Sequence, residues 1–299
     1  MNRDLNYSKV FDTLVNETKK YLEDHNLQAM VLGISGGIDS TVTAAICFEV
    51  SKRTGIPLIG RSLPIKNKDD EFNVSKLVGE AFCTDFKVCN LDESLLYTKA
   101  LQTIEYFEGE GSISKIANGN IQARLRMIYL YNLASTHNGI VISTDNQTEY
   151  QLGFWTLHGD VGDFNPLFGL WKTEVYKLAS YIINSYYDKD NYGKDYIIEG
   201  YENKVRALYE SSKLTPTDGL GISNSDLEQI GAKSYEEVDD ILIRIEKAER
   251  KGSSKVMNEM FKLIDDYSRE VRDKVLQRKI NSEFKRRNLP ICITRGKYE

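Results

Sequence analysis

Cysteine and histidine are scarce in this 299-residue chain, which has four of the first and three of the second. Cys47, Cys83, Cys89 and Cys292 form no C-x-x-C pair, and a chain this long with so few cysteines is not a disulfide scaffold. His25, His137 and His158 show neither H-E-x-x-H nor clustered spacing, which argues against a zinc site and against histidine-led acid–base chemistry. Of the three, only His158 lies near a segment that carries chemistry. No stretch approaches the roughly 20 apolar residues that span a bilayer, and the first residues lack the apolar run of a signal peptide. The expectation is a cytoplasmic protein with no membrane partner. An excess of basic charge is missing too: 39 Lys and Arg stand against 44 Asp and Glu, a net charge of -5. That excludes a broad basic surface for duplex nucleic acid. What remains is a composition of 41% hydrophobic and 28% charged residues, which supplies a real core and rules out disorder.

The apolar pattern gives the architecture. Residues 5–25 repeat Leu5, Val10, Phe11, Leu14, Val15 and Leu22 at helical steps. Residues 29–34 are a short apolar run, as in a strand buried on both faces. Further strands are predicted at 58–65, 86–91 and 139–143, separated by helices at 41–52, 69–82, 92–107 and 120–136. Alternation of this kind predicts an α/β fold, a doubly wound parallel sheet with right-handed crossovers and helices on both faces. Beyond Thr173 the chain reads as mostly helical, with an inserted polar loop at 184–204 and helices at 226–230, 236–250 and 253–287. The organisation expected is one domain over 1–299, with an α/β core at about 29–180 and a helical region after it.

In such sheets ligands bind at the carboxyl ends of the strands. Two unusual polar segments begin there, residues 35–40 and 144–149. The first, Ser35-Gly36-Gly37-Ile38-Asp39-Ser40, lies between a buried strand and a helix. Its glycines let the backbone approach a phosphate, its N–H groups and the helix N-terminus supply donors, and Asp39 can hold a Mg²⁺ that bridges phosphates. It is neither G-x-x-x-x-G-K-[ST] nor G-x-G-x-x-G. The bland alternative is a tight turn capped by Ser and Asp.

S-G-G-x-D-S after a strand resembles the pyrophosphate-binding loop of the ATP pyrophosphatases, which split ATP to AMP and pyrophosphate. Later segments narrow the resemblance. Asn118-Gly119-Asn120-Ile121-Gln122-Ala123-Arg124-Leu125-Arg126-Met127 is similar to the N-x-x-A-R-x-R-M helix of NAD⁺ synthetases. Residues 143–149 (STDNQTE), 153–160 (GFWTLHGD), 165–173, 215–223 and 283–287 resemble further segments of that family, in order. The resemblance implies amidation of deamido-NAD by ammonia. ATP converts the nicotinate carboxylate to an acyl adenylate, and ammonia displaces AMP. Residue by residue, it implies that Gly33, Ile34, Ser35, Gly36, Gly37, Ile38, Asp39, Ser40, Thr144, Lys172 and Thr217 hold ATP, and that Asp39 and Glu149 ligate Mg²⁺. Asp39, Lys172 and Glu149 would carry catalysis, and Arg124, Asp163, Phe284 and Lys285 would contact deamido-NAD. A homodimer is implied as well, with Ile121, Leu125, Ile128 and Leu133 as a candidate contact or, on the competing view, plain intrachain core.

Three positions depart from the family pattern: Leu157 replaces a lysine, Phe284 a histidine, and Ser62 stands where an arginine often precedes Leu-Pro, with Arg61 one place off. A tRNA thiolase or the synthetase half of a GMP synthetase would share the phosphate loop. The first would want C-x-x-C cysteines and a basic surface; the second would lack the 144–149 and 153–160 segments. A nucleotide sensor without turnover would not need both Asp39 and Glu149. A glutaminase needs an activated cysteine and about 200 residues to hold it, and neither is evident, so free ammonia is the expected nitrogen donor.

Overall fold

A computed structural model describes residues 5–66, 68–187, 197–216 and 225–286. Four parallel strands form the sheet: β1 (Ala29–Gly33), β2 (Leu58–Ser62), β3 (Asp85–Val88) and β4 (Gly139–Val141), in the order β3-β2-β1-β4. The chain winds outward from β1 to β3, then returns to place β4 on the other side of β1. The carboxyl ends of β1 and β4 therefore border the crevice where strand order reverses, the usual ligand position in such sheets.

Alternation along β1 builds both faces. Met30 and Leu32 point into the main core with α1 (Tyr7–Asp24), α2 (Ile38–Thr54), α3 (Asp69–Phe82), α7 (Lys172–Ser185) and α8 (Glu202–Lys213). Ala29 and Val31 point the other way, under Leu130, Leu133 and Ala134 of α5 (Lys115–Thr136). Helix α4 (Leu96–Glu108) packs beside α5. Helices on both faces of a parallel sheet are the arrangement that the alternation predicted.

Past β4 the chain forms α6 (Gln147–Leu152), and after α8 come α9 (Asp226–Ile230), α10 (Tyr235–Glu249), α11 (Ser253–Asp266) and α12 (Arg269–Asn281). A second core gathers Leu152 and Trp171 with Val238, Ile241, Leu242 and Leu263. The single helix expected over 253–287 is in fact α11, α12 and a short 3-10 turn (Glu283–Arg286). The break has a local cause. Tyr267 is extended (φ -131°, ψ 147°), and Ser268 caps α12 by accepting from Val271 N. Of the loop expected at 184–204, residues 188–196 lie outside the described residues; α7 runs to Ser185 and α8 begins at Glu202. Among the described residues no helix is long and apolar enough to cross a membrane.

Candidate active site

The loop after β1 is shaped by its own hydroxyls. Ser35 Oγ accepts from Gly37 N (3.2 Å) and donates to Ser40 Oγ (3.0 Å), and Ser40 Oγ donates to Gly37 O (3.0 Å). Ser40 thus braces the loop from inside rather than facing out. Gly36 has φ +88°, and a Cβ there would sit 2.7 Å from Glu71 O and 2.8 Å from Ser75 N. Only glycine lets the loop pack so closely on the start of α3. The other loop residues, Gly33, Ile34, Ser35, Gly37, Ile38, Asp39 and Ser40, line a cavity of about 480 Å³ at the switch point. Thr144, Asp145, Glu149, Asp160, Arg126 and Lys172 line it as well.

At its floor three side chains from three elements meet. Lys172 is 2% exposed; its Nζ donates to Asp39 Oδ2 (2.5 Å) and to Glu149 Oε1 (2.9 Å). Asn146 Nδ2 donates to the other Asp39 oxygen (2.8 Å). Asn146 also caps α6, accepting from Glu149 N (3.0 Å), while the Glu149 carboxylate accepts from Asn146 N (3.2 Å). One residue therefore orients both acids. Burial works against the charge of Lys172, but Asp39 and Glu149 outweigh it and hold the ammonium protonated well above the ordinary lysine range. Burial raises Glu149, and Asp39 and Asp145 add to that against the pull of Lys172. Two carboxyl groups thus face one ammonium. Hard oxygen donors beside a phosphate loop suit Mg²⁺, which takes one or two carboxylates and completes its shell with phosphate and water. Among the described residues no three Asp, Glu, His or Cys are grouped as a metal cage.

The residues expected to meet the second substrate are more scattered. Arg124 is exposed, with Nε and Nη2 on Leu157 O at 3.4 and 3.3 Å, whereas Arg126, two positions on, lines the cavity and donates to Leu63 O (2.9 Å). Asp163 is exposed and accepts from Tyr131 OH (2.7 Å). Lys285 points at the chain: its Nζ donates to Gly153 O (2.7 Å) and to Trp155 O. Phe284 is exposed, and so is His158, whose backbone has φ +56°. Thr217 lies outside the described residues. Ser62 bonds Ser75 Oγ (2.8 Å) under α3, while Arg61 is buried and paired with Asp85 (2.8 Å). Of the proposed contact face, Leu125 is buried, Ile121 and Leu133 pack on their own core, and only Ile128 is freely exposed. Leu125 therefore belongs to the chain's own core, and Ile121 and Leu133 pack partly against it.

Asn146, Asp145, Asp160 and Tyr235 were not singled out from the sequence. The first two stand inside the TDNQTE segment, and Asn146, three residues before Glu149, carries the signature of a capping box.

A parallel sheet that turns a glycine loop, paired carboxylates and a buried lysine toward its switch point defines a nucleotide-binding α/β enzyme. The comparisons make the class particular: the NAD synthase family model matches residues 10–289, and the chain belongs to that family, ATP-using ligases of NAD biosynthesis. It is 31% identical over 240 residues, 80% of this chain and 86% of the relative, to the NH₃-dependent NAD⁺ synthetase of Finegoldia magna. Its fold is similar to that of an NMN synthetase from Francisella tularensis (TM-score 0.72, 24% identity, 97% of this chain and 99% of that one). It also resembles an NH₃-dependent NAD synthetase from Campylobacter jejuni (TM-score 0.67, 21% identity, 97% and 100%).

Proposed function

We propose that this enzyme amidates deamido-NAD with free ammonia and ATP through an acyl adenylate. The observation that carries the reading is the Lys172 ammonium held between Asp39 and Glu149 beside the phosphate loop. A carboxylate is a poor electrophile until one oxygen becomes a leaving group. Attack on the α-phosphorus spreads charge over the phosphate oxygens, and a fixed ammonium in a site shielded from water stabilises that charge best. The N–H groups of residues 35–40 would hold the leaving pyrophosphate at the start of α2. Asp39 and Glu149 would hold Mg²⁺, which when bound neutralises the phosphate charge. Ammonia would then attack the acyl carbon and AMP depart. Arg126 is the cavity's cation from α5, so it joins Arg124 and Asp163 as a candidate contact for the dinucleotide. We place the protein in the cytoplasm and expect a homodimer, with Ile128 at its contact; a monomer in light scattering at micromolar concentration overturns the assembly.

The test is product analysis with ATP, Mg²⁺, ammonium and deamido-NAD. NAD⁺, AMP and pyrophosphate should appear in equal amounts, and the rate at fixed total ammonium should rise between about pH 7 and 8.5, because only the unprotonated amine attacks. AMP release that ignores deamido-NAD, or glutamine serving as well as ammonium, overturns the reading. Because one structural neighbour is described as an NMN synthetase, nicotinate mononucleotide is the competing acceptor, and deamido-NAD should be preferred.

A further inference from the structure

Lys172 opens α7, where the helix dipole works against a cation and where Trp171 provides no side-chain cap. The first N–H groups of α7 instead find partners on two other helices. Lys172 N donates to Thr148 Oγ1 of α6 (2.9 Å), and Thr173 N donates to Asp239 Oδ2 of α10 (2.9 Å). Thr148 gives its hydroxyl proton to Asp239 Oδ1 (2.5 Å). A hydroxyl has a single proton, so this donation leaves only lone pairs for Lys172 N–H. Asp239 is 2% exposed and Thr148 1%, so water cannot substitute for either. One turn earlier on the same face of α10, Tyr235 sets its ring 5.6 Å from the Lys172 ammonium, with its hydroxyl on Asp226 Oδ2 (3.3 Å).

We infer that Asp239 and Tyr235 are positioning residues for Lys172: α10 grips the lysine at its backbone through Thr148 and at its ammonium through an aromatic face. The inference rests on Lys172 being the cation of the reaction. A lysine stem has four flexible carbons, and its ammonium is a point charge whose value in the transition state depends on where it is held. A carboxylate suits the task and an amide does not, because both oxygens must accept. With Asn at 239 the amide oxygen can serve only one of the two donors. If it stays on Thr173 N–H, the NH₂ faces Thr148 and the hydroxyl proton loses its acceptor.

The test measures kcat, KM for ATP and the thermal unfolding midpoint of wild type, Asp239→Asn, Thr148→Val and the double variant. Asp239→Asn and Thr148→Val should each lower kcat by about 10- to 100-fold while KM for ATP moves less than about threefold. The double variant should be no slower than the worse single, because both changes break one chain of hydrogen bonds. Thr148→Ser should recover most of the kcat that Thr148→Val loses, as Tyr235→Phe should relative to Tyr235→Leu. A role confined to holding the helices together would lower the unfolding midpoint and leave kcat alone. The inference is overturned by a folded Asp239→Asn protein with kcat within about twofold of wild type, or by Asp239→Asn and Thr148→Val losses that multiply. Should Asp239→Asn fail to fold, the Thr148→Val and Thr148→Ser pair decides. A wild type that releases no AMP overturns the enzymatic reading itself, a result distinct from an active wild type with an equally active Asp239→Asn.

Discussion

In the α/β region the residues that carry the phosphate loop are aliphatic: Met30, Leu32, Ile34, Ile38 and Val42, each at most 3% exposed, pin β1 and the start of α2 on either side of it. The helices around α6 and α12 hold their parts with charge. Arg278 Nε donates to Leu152 O (3.0 Å), Arg286 Nη1 to Gln151 O (2.8 Å) and Lys285 Nζ to Gly153 O (2.7 Å). Three cations thus meet the carbonyls at the end of α6, the helix that presents Glu149 at its other end. The loop needs a rigid backbone, which apolar packing supplies without direction. The acids and the lysine need orientation, which only directional bonds to named partners give. The two regions meet at Asp39, at the start of α2, which takes hydrogen bonds from Asn146, the cap of α6, and from Lys172 of α7.

Breaking that junction should have the largest effect. Asp39→Asn removes one of the two carboxylates that hold Lys172 and replaces one of the two carboxylate ligands proposed for Mg²⁺ by a neutral amide. At saturating ATP we expect kcat to fall by at least about 10²-fold. AMP release at wild-type turnover would show that the two regions do not meet in the reaction.

The same contrast decides what could be read from the sequence. The strand at 29–34 and the helix at 69–82 follow from local apolar pattern and the structure has them at nearly those bounds, while the strand expected at 58–65 ends at Ser62. The turn at 35–40 between β1 and α2 is equally legible, because its pattern is local: glycines, hydroxyls and an acid within six residues. Lys172 and Asp39 are 133 positions apart, and Asp239 reaches Thr148 across 91. Periodicity carries no information about such pairs. Arg124 and Arg126 share one motif, but two positions on a helix point to different sides, and only packing shows which one meets the cavity. The break at Tyr267 escaped for a related reason: neither it nor Ser268 interrupts the charged, helix-like pattern around them.

Two changes of intermediate size separate rigid loop from oriented helix. Gly36→Ala puts a Cβ against the backbone of α3 at a positive φ, where neither chain can yield cheaply. It should lower stability to urea by about 1–3 kcal/mol and raise KM for ATP. An unchanged unfolding midpoint would mean that the loop has slack the apolar frame does not show. Lys285→Met removes the donor shared by Gly153 O and Trp155 O. Its effect should fall on the 153–160 segment, raising KM for deamido-NAD by about 3- to 10-fold, the net size of one ordinary hydrogen bond, with KM for ATP unmoved. A rise in KM for ATP alone would place Lys285 on the other side of the comparison.

The smallest expected effect lies between α10 and α11, which among the described residues contribute none to the cavity lining and are joined by charge. Arg244 of α10 reaches Glu259 (2.6 Å) and Asp266 (2.7 Å) of α11, with Asp240 at 3.4 Å. Arg244 and Glu259 are partly shielded, while Asp266 is half exposed, so water and salt weaken part of the network. Arg244→Met keeps the aliphatic stem over the helix surface and removes only the charge. The loss should be about 0.5–1 kcal/mol at low salt and should shrink toward zero near 1 M salt, where the screening length is about 3 Å. Because Tyr235 and Asp239 lie on the part of α10 nearer its start and are held by their own partners, kcat should stay within about twofold of wild type. A tenfold fall in kcat for this variant, with the fold intact, would mean that α11 and its ion pairs hold α10 in register. The orientation of Lys172 would then depend on the whole helical region rather than on two residues of one helix.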